Sequence, residues 1–64
     1  MERRLVGVME LAQYLGVKVN TVYAWVSMRK VPFYKVGKLV KFDQREIDGW
    51  VARLRVEPIK EVAL

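Results

Sequence analysis

Small uncharged side chains recur at helical spacing in the segment 18–27, KVNTVYAWVS. At 100° per residue, one side of such a helix is apolar and carries Val22, Trp25 and Val26. The opposite side carries Asn20, Ala24 and Ser27, flanked by Thr21 and Tyr23. Hydroxyls, an amide and a methyl are short enough for a helix to lie against base edges in a duplex major groove. An ordinary surface helix also has a polar exterior, so the neighbouring segments must decide between the two interpretations.

Positive charge is concentrated in the middle of the chain. The net charge is +5, and all seven acidic residues lie outside the stretch from Leu11 to Phe42. The cations inside that stretch are Lys18, Arg29, Lys30, Lys35, Lys38 and Lys41. This segregation favours a polyanionic partner, although basic segments that simply face solvent are also common.

Composition argues against several function classes. The 64 residues include no Cys and no His, so neither a disulfide framework nor a thiolate or imidazole metal site is expected. A domain this small also leaves little room for an active-site cavity. The sequence has no signal-peptide pattern and no apolar run long enough to span a membrane. We expect a cytoplasmic protein that is not an enzyme and has no cofactor, no small-molecule substrate and no membrane partner.

Two short helices with a glycine between them are predicted in the first half of the chain. Val8–Leu15 has apolar residues at i, i+3, i+4 and i+7, with Gly7 at its N-cap. Gly16 follows where a left-handed residue often ends a helix, and Val17 should turn back onto the apolar side. The segment 18–27 forms the second helix, which Pro32 prevents from continuing far. This arrangement is the outline of a helix-turn-helix.

The segment 33–42, FYKVGKLVKF, predicts a β-hairpin. A three-residue loop, Gly37–Leu39, gives the pairs Val36–Val40, Lys35–Lys41 and Tyr34–Phe42, with one apolar and one basic face. The facing lysines either bind phosphate or protect a sheet edge from aggregation. A two-residue loop, Gly37–Lys38, would pair Val36 with Leu39 and break the alternation, so we expect the longer loop.

A third helix is predicted over Asp43–Arg55. Asp43 and Glu46 have the D-x-x-E spacing of a capping box, and an apolar face follows with Ile47, Trp50, Val51 and Leu54. Gly49 lies inside this helix at a cost of about 1 kcal/mol relative to alanine. Close packing by a neighbouring element would explain it.

The termini have simpler predictions. Residues 1–6 form a lead-in strand or an arm, in which Arg3 and Arg4 either reach a minor groove or remain solvated. We expect one domain over residues 1–55 and a tail over 56–64. The tail is either flexible or orders against a partner or another copy of the chain.

Taken in order, these segments resemble the excisionase-type, MerR-like winged helix-turn-helix family. The matching motifs are Ala12–Val17 (AQYLGV), Thr21–Tyr23 (TVY), Lys30–Pro32 (KVP), Tyr34–Gly37 (YKVG) and Asp43–Trp50. The resemblance spans residues 6–54 and implies a mostly α fold of three helices with a two-stranded wing. It implies that the second helix enters the major groove and that the hairpin lies along the backbone or minor groove.

Carried over to this sequence, the resemblance assigns base contacts to Asn20, Thr21 and Tyr23 and basic wing positions to Lys38 and Lys41. The chain departs from the pattern where members often have a basic residue (Ala24, Ser27), a glycine (Arg29), or an arginine followed by an aromatic (Leu39, Val40). Ala24 is then a candidate for contact with a thymine methyl.

The predicted function is sequence-specific binding of double-stranded DNA, by an excisionase-like factor for recombination or by a small transcription regulator. Phosphate contacts are expected from Lys18, Arg29, Lys30, Lys35, Lys38 and Lys41, and base contacts from Asn20, Thr21, Tyr23, Ala24 and Ser27. A recombinase or further copies of the chain on adjacent sites are the expected protein partners. The alternative is a protein-interaction module whose surface patch contains Tyr23, Met28, Phe33 and Leu39.

Overall fold

Three helices and three short strands make up the fold. A computed structural model describes residues 4–58, with β1 at Leu5–Val6, α1 at Val8–Leu15, α2 at Val19–Ser27, β2 at Tyr34–Val36, β3 at Leu39–Asp43 and α3 at Gln44–Arg53. The strands form one antiparallel sheet in the order β1-β3-β2. The predicted winged helix-turn-helix class is confirmed. The predicted lead-in strand is also present, and it makes the sheet three-stranded.

The first helix has the bounds predicted for it. Gly7 is the N-cap, and the Glu10 side chain accepts a hydrogen bond from the Gly7 N–H at 3.3 Å. Gly16 has φ = 71°, and the Val17 N–H donates to the Ala12 carbonyl at 3.0 Å. This bonding closes the helix with a left-handed residue and turns Val17 back towards the core, as predicted.

The second helix ends in the same type of motif without a glycine. Arg29 has φ = 56°, the only positive value at a non-glycine residue between positions 4 and 58. Its N–H donates to the Val26 carbonyl at 3.0 Å, and the Lys30 N–H donates to the Trp25 carbonyl at 2.9 Å. The two bonds satisfy carbonyls at the helix end, but they place an arginine in a backbone conformation that favours glycine.

The core lies where α1, α2, α3 and the sheet meet. Its buried residues are Val6, Val8, Leu11, Ala12, Val22, Val31, Phe42 and Ile47. Trp25 of α2 and Trp50 of α3 pack edge to face beside it, with ring centroids 5.5 Å apart. The apolar side predicted for α2 is therefore the side that fixes the helix to the domain.

The hairpin register differs from the prediction. The observed pairs are Tyr34–Lys41, Lys35–Val40 and Val36–Leu39, so the loop is the two-residue Gly37–Lys38. Gly37 supplies the positive φ of 62° that a tight hairpin turn requires. Side chains of paired residues share a face, so Lys35 and Lys41 lie on opposite faces of the ribbon. The predicted lysine pair and the wholly basic face were both wrong, and like-charge repulsion no longer argues for a phosphate.

The third helix begins directly where β3 ends. Asp43 is the last residue of β3 and the N-cap of α3, and its Oδ1 accepts a hydrogen bond from the Arg45 N–H at 2.9 Å. The helix ends at Arg53, two residues before the predicted end. Val51 and Leu54 are exposed, so the apolar face predicted for α3 is covered at Ile47 and Trp50 but not at its outer half.

Two other predictions fall on the helix interior and the termini. The close packing expected at Gly49 was wrong, because a Cβ built there meets no atom of a neighbouring element within 4 Å among residues 4–58. Arg4 forms an exposed ion pair with Glu10 at 3.2 Å. Arg3 of the predicted arm and positions 59–64 of the predicted tail lie outside the described residues.

Candidate nucleic-acid interface

The outer side of α2 faces solvent as predicted. Asn20, Ala24 and Ser27 are exposed, Thr21 is half-buried, and Val22 on the opposite side is fully buried. Nothing in the described part of the chain covers this row of small side chains. The helix can therefore present an amide and a hydroxyl to a surface outside the domain.

The two flanks of α2 lie against different elements of the domain. On one flank Trp25 packs against Trp50 of α3. On the other flank Tyr23, which is 53% exposed, shares a shallow groove with the hairpin and the start of α1. We call this the wing groove. It is lined by Gly7, Val8, Met9 and Glu10 at the start of α1, by Tyr23, and by Lys38, Leu39, Val40 and Lys41 of the hairpin. It brings the predicted contact residues Tyr23, Lys38 and Lys41 to one surface.

Ion pairs engage some of the described acids but none of the central cations. Between residues 4 and 58 two carboxylates form ion pairs, Glu10 with Arg4 and Glu57 with Arg55. The other three accept hydrogen bonds from neutral donors: Asp43 from the Arg45 backbone N–H, Glu46 from the Tyr34 hydroxyl and Asp48 from the Tyr14 hydroxyl. The six central cations, Lys18, Arg29, Lys30, Lys35, Lys38 and Lys41, form no ion pair with these residues. The positive charge of the central segment is thus uncompensated within the described part of the chain.

The six cations do not all lie around the wing groove. Lys41 reaches towards Gly7, where a built Cβ would lie 3.9 Å from its Nζ. Lys35 is exposed on the opposite face of the hairpin, and Lys30 lines a second groove, the tryptophan groove, with Trp25, Trp50 and Leu54. The sequence predicted these cations as one set, but the structure distributes them over at least two surfaces.

The N-terminus of α2 adds open hydrogen-bond donors near the exposed face. Lys18 is the N-cap, and no side chain of residues 4–58 caps this end of the helix. The Thr21 N–H donates to the Lys18 carbonyl at 3.0 Å, so the open donors of the first turn are the N–H groups of Val19 and Asn20. The helix dipole makes that end attractive to anions. An exposed lysine at the same end adds to that attraction.

Two tyrosine–carboxylate bonds fix α3 to its neighbours. The Tyr34 hydroxyl of β2 donates to Glu46 at 2.7 Å, and the Tyr14 hydroxyl of α1 donates to Asp48. The bond to Asp48 raises the pKa of Tyr14, because ionisation would leave two negative oxygens facing each other. The hairpin base and the first helix are both held against the third helix by these contacts.

The family of the chain is shown by sequence comparison. Residues 5–55 match the family described as a helix-turn-helix domain. The chain belongs to this family. Its members are excisionase-like DNA-binding domains, so the resemblance found in the sequence is confirmed. No curated protein and no solved structure matches the chain.

Membership in this helix-turn-helix family indicates the class of molecule that the chain binds. Helix-turn-helix domains of this family bind DNA and are typically not enzymes. Between residues 4 and 58 there is no group of three or more acidic, Cys or His residues placed to hold a metal ion. No helix in the same range is long and apolar enough for a transmembrane segment.

Several residues of the wing groove, among them the exposed Leu39 and Met9, were not among the predicted DNA contacts of this helix-turn-helix domain. Leu39 was assigned only to the alternative protein-binding patch, and Met9 was not assigned at all. The departure of position 39 from the family pattern was a usable signal for Leu39. Met9 lies off the apolar stripe of α1, and only the position of the hairpin makes it part of the surface.

Proposed function

We propose that this helix-turn-helix domain binds duplex DNA sequence-specifically, with α2 in the major groove and the β2–β3 wing against the backbone and adjacent minor groove. The observation that carries the proposal is the uncompensated charge around an exposed helix side. The described acids are all engaged locally, whereas Lys18, Lys38 and Lys41 are free to replace the counterions of a phosphate chain.

Positioning and sequence reading are assigned to different residues. Exposed lysines and the open N-terminus of α2 would bind phosphates and set the register. Asn20 can bond bidentately to adenine, Ser27 can donate or accept, and Ala24 can contact a thymine methyl. Tyr23 and the half-buried Thr21 lie at the margins of this face and complete the proposed base contacts.

The small size of the domain limits the biological roles in which it could act alone. A single domain over residues 1–55 covers few base pairs, so specificity in a genome requires several copies on adjacent sites or a larger partner such as a recombinase. This requirement suits an excisionase-like factor and a small transcription regulator equally. The tail over 56–64 is not part of the proposed DNA surface.

The test compares two substitutions in a mobility-shift titration over a range of salt concentrations. Lys38→Ala should weaken binding to every duplex and reduce the slope of log affinity against log salt by about 0.9, the value for one phosphate contact. Asn20→Ala should leave the slope unchanged and reduce the preference for the selected sequence by about 1–3 kcal/mol. Arg53→Ala removes an exposed cation from the end of α3 and serves as the control.

The alternative, a protein-interaction module, was predicted to use Tyr23, Met28, Phe33 and Leu39, but Phe33 is half-buried and packs against the core. A different set of exposed apolar residues favours such a module. Val51, Leu54 and Val56 are exposed in succession along and after α3. An apolar interface persists at high salt, whereas phosphate binding does not. If neither Lys38→Ala nor Asn20→Ala changes DNA binding, the proposed docking is wrong and the apolar surface becomes the better candidate.

A further inference from the structure

The tip of the wing exposes two apolar side chains side by side. Leu39 is 60% exposed and pairs with Val36, which is 50% exposed, directly beside the Gly37–Lys38 turn. Single exposed apolar residues are ordinary. Here, however, the pair occupies the end of an element whose other exposed residues include Lys35 and Lys38.

The apolar tip continues into the wing groove. Met9, which is 71% exposed, and Tyr23 lie in that groove with Leu39. Its charged lining is Lys38, Lys41 and Glu10, and Glu10 is ion-paired with Arg4. Lysine ammonium groups suit phosphates, but leucine and methionine do not. The apolar surfaces that a duplex offers are thymine methyls in the major groove, sugar faces, and base faces where a step has been opened.

We propose that Leu39, backed by Val36, is a wedge that enters the minor groove and partly opens one base step, bending the duplex. The inference rests on the proposed function, because α2 must first occupy the neighbouring major groove. In this docking the hairpin would cross one phosphate strand and its tip would meet the next groove. The minor groove presents no methyl group, so a leucine there is satisfied by sugar and base faces, and leucine is a known type of wedge side chain.

The structure supplies the rigid support that a wedge needs. At its base β3 is paired with β1 and runs into α3 without a loop, while β2 is tied to α3 by the Tyr34–Glu46 bond. Lys38 lies in the turn next to Leu39 and can hold a phosphate beside the opened step, whereas Lys41 lies nearer the base of the wing and can hold one further along the backbone. The cost of unstacking is smallest at flexible pyrimidine–purine steps, so the wedge gives a preference for TA or CA/TG at its position.

The experiment uses the full chain and a short duplex selected from a random library by the unmodified protein. Donor and acceptor dyes at the duplex ends report bending, and 2-aminopurine placed at successive positions reports unstacking. Leu39→Ala should abolish both signals and lower affinity about tenfold, the scale expected for a buried leucine side chain. Leu54→Ala is the matched control, because Leu54 is 57% exposed but lies at the end of α3.

Two further variants separate the wedge from electrostatics. Leu39→Phe should retain the 2-aminopurine signal, because phenylalanine also serves as a wedge. Leu39→Lys should retain affinity through an added phosphate contact but lose the signal. Far-UV circular dichroism and the melting temperature establish that each variant is folded.

The outcomes distinguish failure of the wedge from failure of DNA binding. If the unmodified protein binds the duplex without raising 2-aminopurine emission, or if Leu39→Ala still bends it, the wedge is wrong and DNA binding stands. A preference for rigid steps at the contacted position would also overturn it. Absence of binding at low salt would overturn the proposed function and the wedge together.

Discussion

Replacing Arg29 with glycine should stabilise the domain while weakening DNA binding. Arg29 has a left-handed backbone at the end of α2, with φ = 56°. That conformation costs an L-residue about 1–2 kcal/mol. Glycine removes the cost but gives the unfolded chain more freedom, worth about 0.4–1 kcal/mol. The net gain should be about 0.5–1 kcal/mol, or about 2–8 °C in melting temperature for a domain of this size.

Although Arg29→Gly should raise stability, it should lower the affinity for DNA. Arg29 is exposed and forms no ion pair with residues 4–58, and we propose that it contacts a phosphate. Its loss should reduce the salt slope of DNA affinity by about 0.9. Arg29→Ala is the control, because alanine removes the charge and keeps the strained backbone. It should show the same loss of slope without the gain in stability.

Denaturant unfolding and thermal melting of the three proteins measure the first effect, and salt-dependent titration measures the second. The midpoint for Arg29→Gly should rise with an unchanged m-value. If the glycine variant is no more stable than the alanine variant, the argument from backbone strain fails. If both variants keep the full salt slope, Arg29 does not contact a phosphate.

Three further predictions concern stability. Gly49→Ala should raise the free energy of unfolding by about 1 kcal/mol in urea titration, because the new Cβ enters open space within a helix; a loss of stability would reveal a missed contact. Tyr34→Phe should lower stability by about 0.5–1 kcal/mol and speed amide exchange in the wing, since it removes the bond to Glu46, and an unchanged exchange rate would contradict this. In ultraviolet absorbance Tyr14 should titrate above 10.0, the ordinary pKa of a tyrosine, and Asp48→Asn should reverse the shift. Since the folded pKa of Tyr14 exceeds its unfolded pKa, the bond's contribution to stability is present below pH 10.0 and is lost as pH rises through the folded pKa.

Elements that depend on local signals could be predicted from the sequence. The spacing of Val8 and Leu11, the left-handed Gly16 and the N-cap Asp43 each act within a few residues, and the structure has all of them as expected. The exposed side of α2 was predictable for the same reason. One periodicity determined both which side is buried and which side is available for binding.

The hairpin register could not be predicted from the same rules. Alternation sets a register when one face of a ribbon is buried, but the tip of this wing extends beyond the core and leaves Val36 and Leu39 exposed. The turn geometry of Gly37 therefore determined the pairing. The wrongly predicted pairing involves Val36 and Leu39, the residues to which we assign the wedge. Functional residues are where patterns such as strand alternation are expected to mislead.

Other features depend on three-dimensional neighbours that the sequence does not encode locally. The glycine at position 49 indicated close packing, but a Cβ built there meets no neighbouring element of residues 4–58 within 4 Å. Lys30 was grouped with the wing lysines, yet it lies beside Trp50 and Leu54. The number of cations in a segment predicts that a binding partner is negatively charged. It does not predict which of those cations lie on the same surface of the fold.

The junction at Asp43 leaves no hinge between the wing and the third helix. One residue that is 3% exposed ends the strand, caps the helix and anchors both in the interior. We therefore expect the hairpin and α3 to move together as one rigid unit. If DNA binding tilted the tip of the wing, either the axis of α3 would rotate with it or the hydrogen bonds of the first turn of α3 would have to break. The exposed side chains of Val51 and Leu54 at the end of α3 would then change their orientation whenever the wing does.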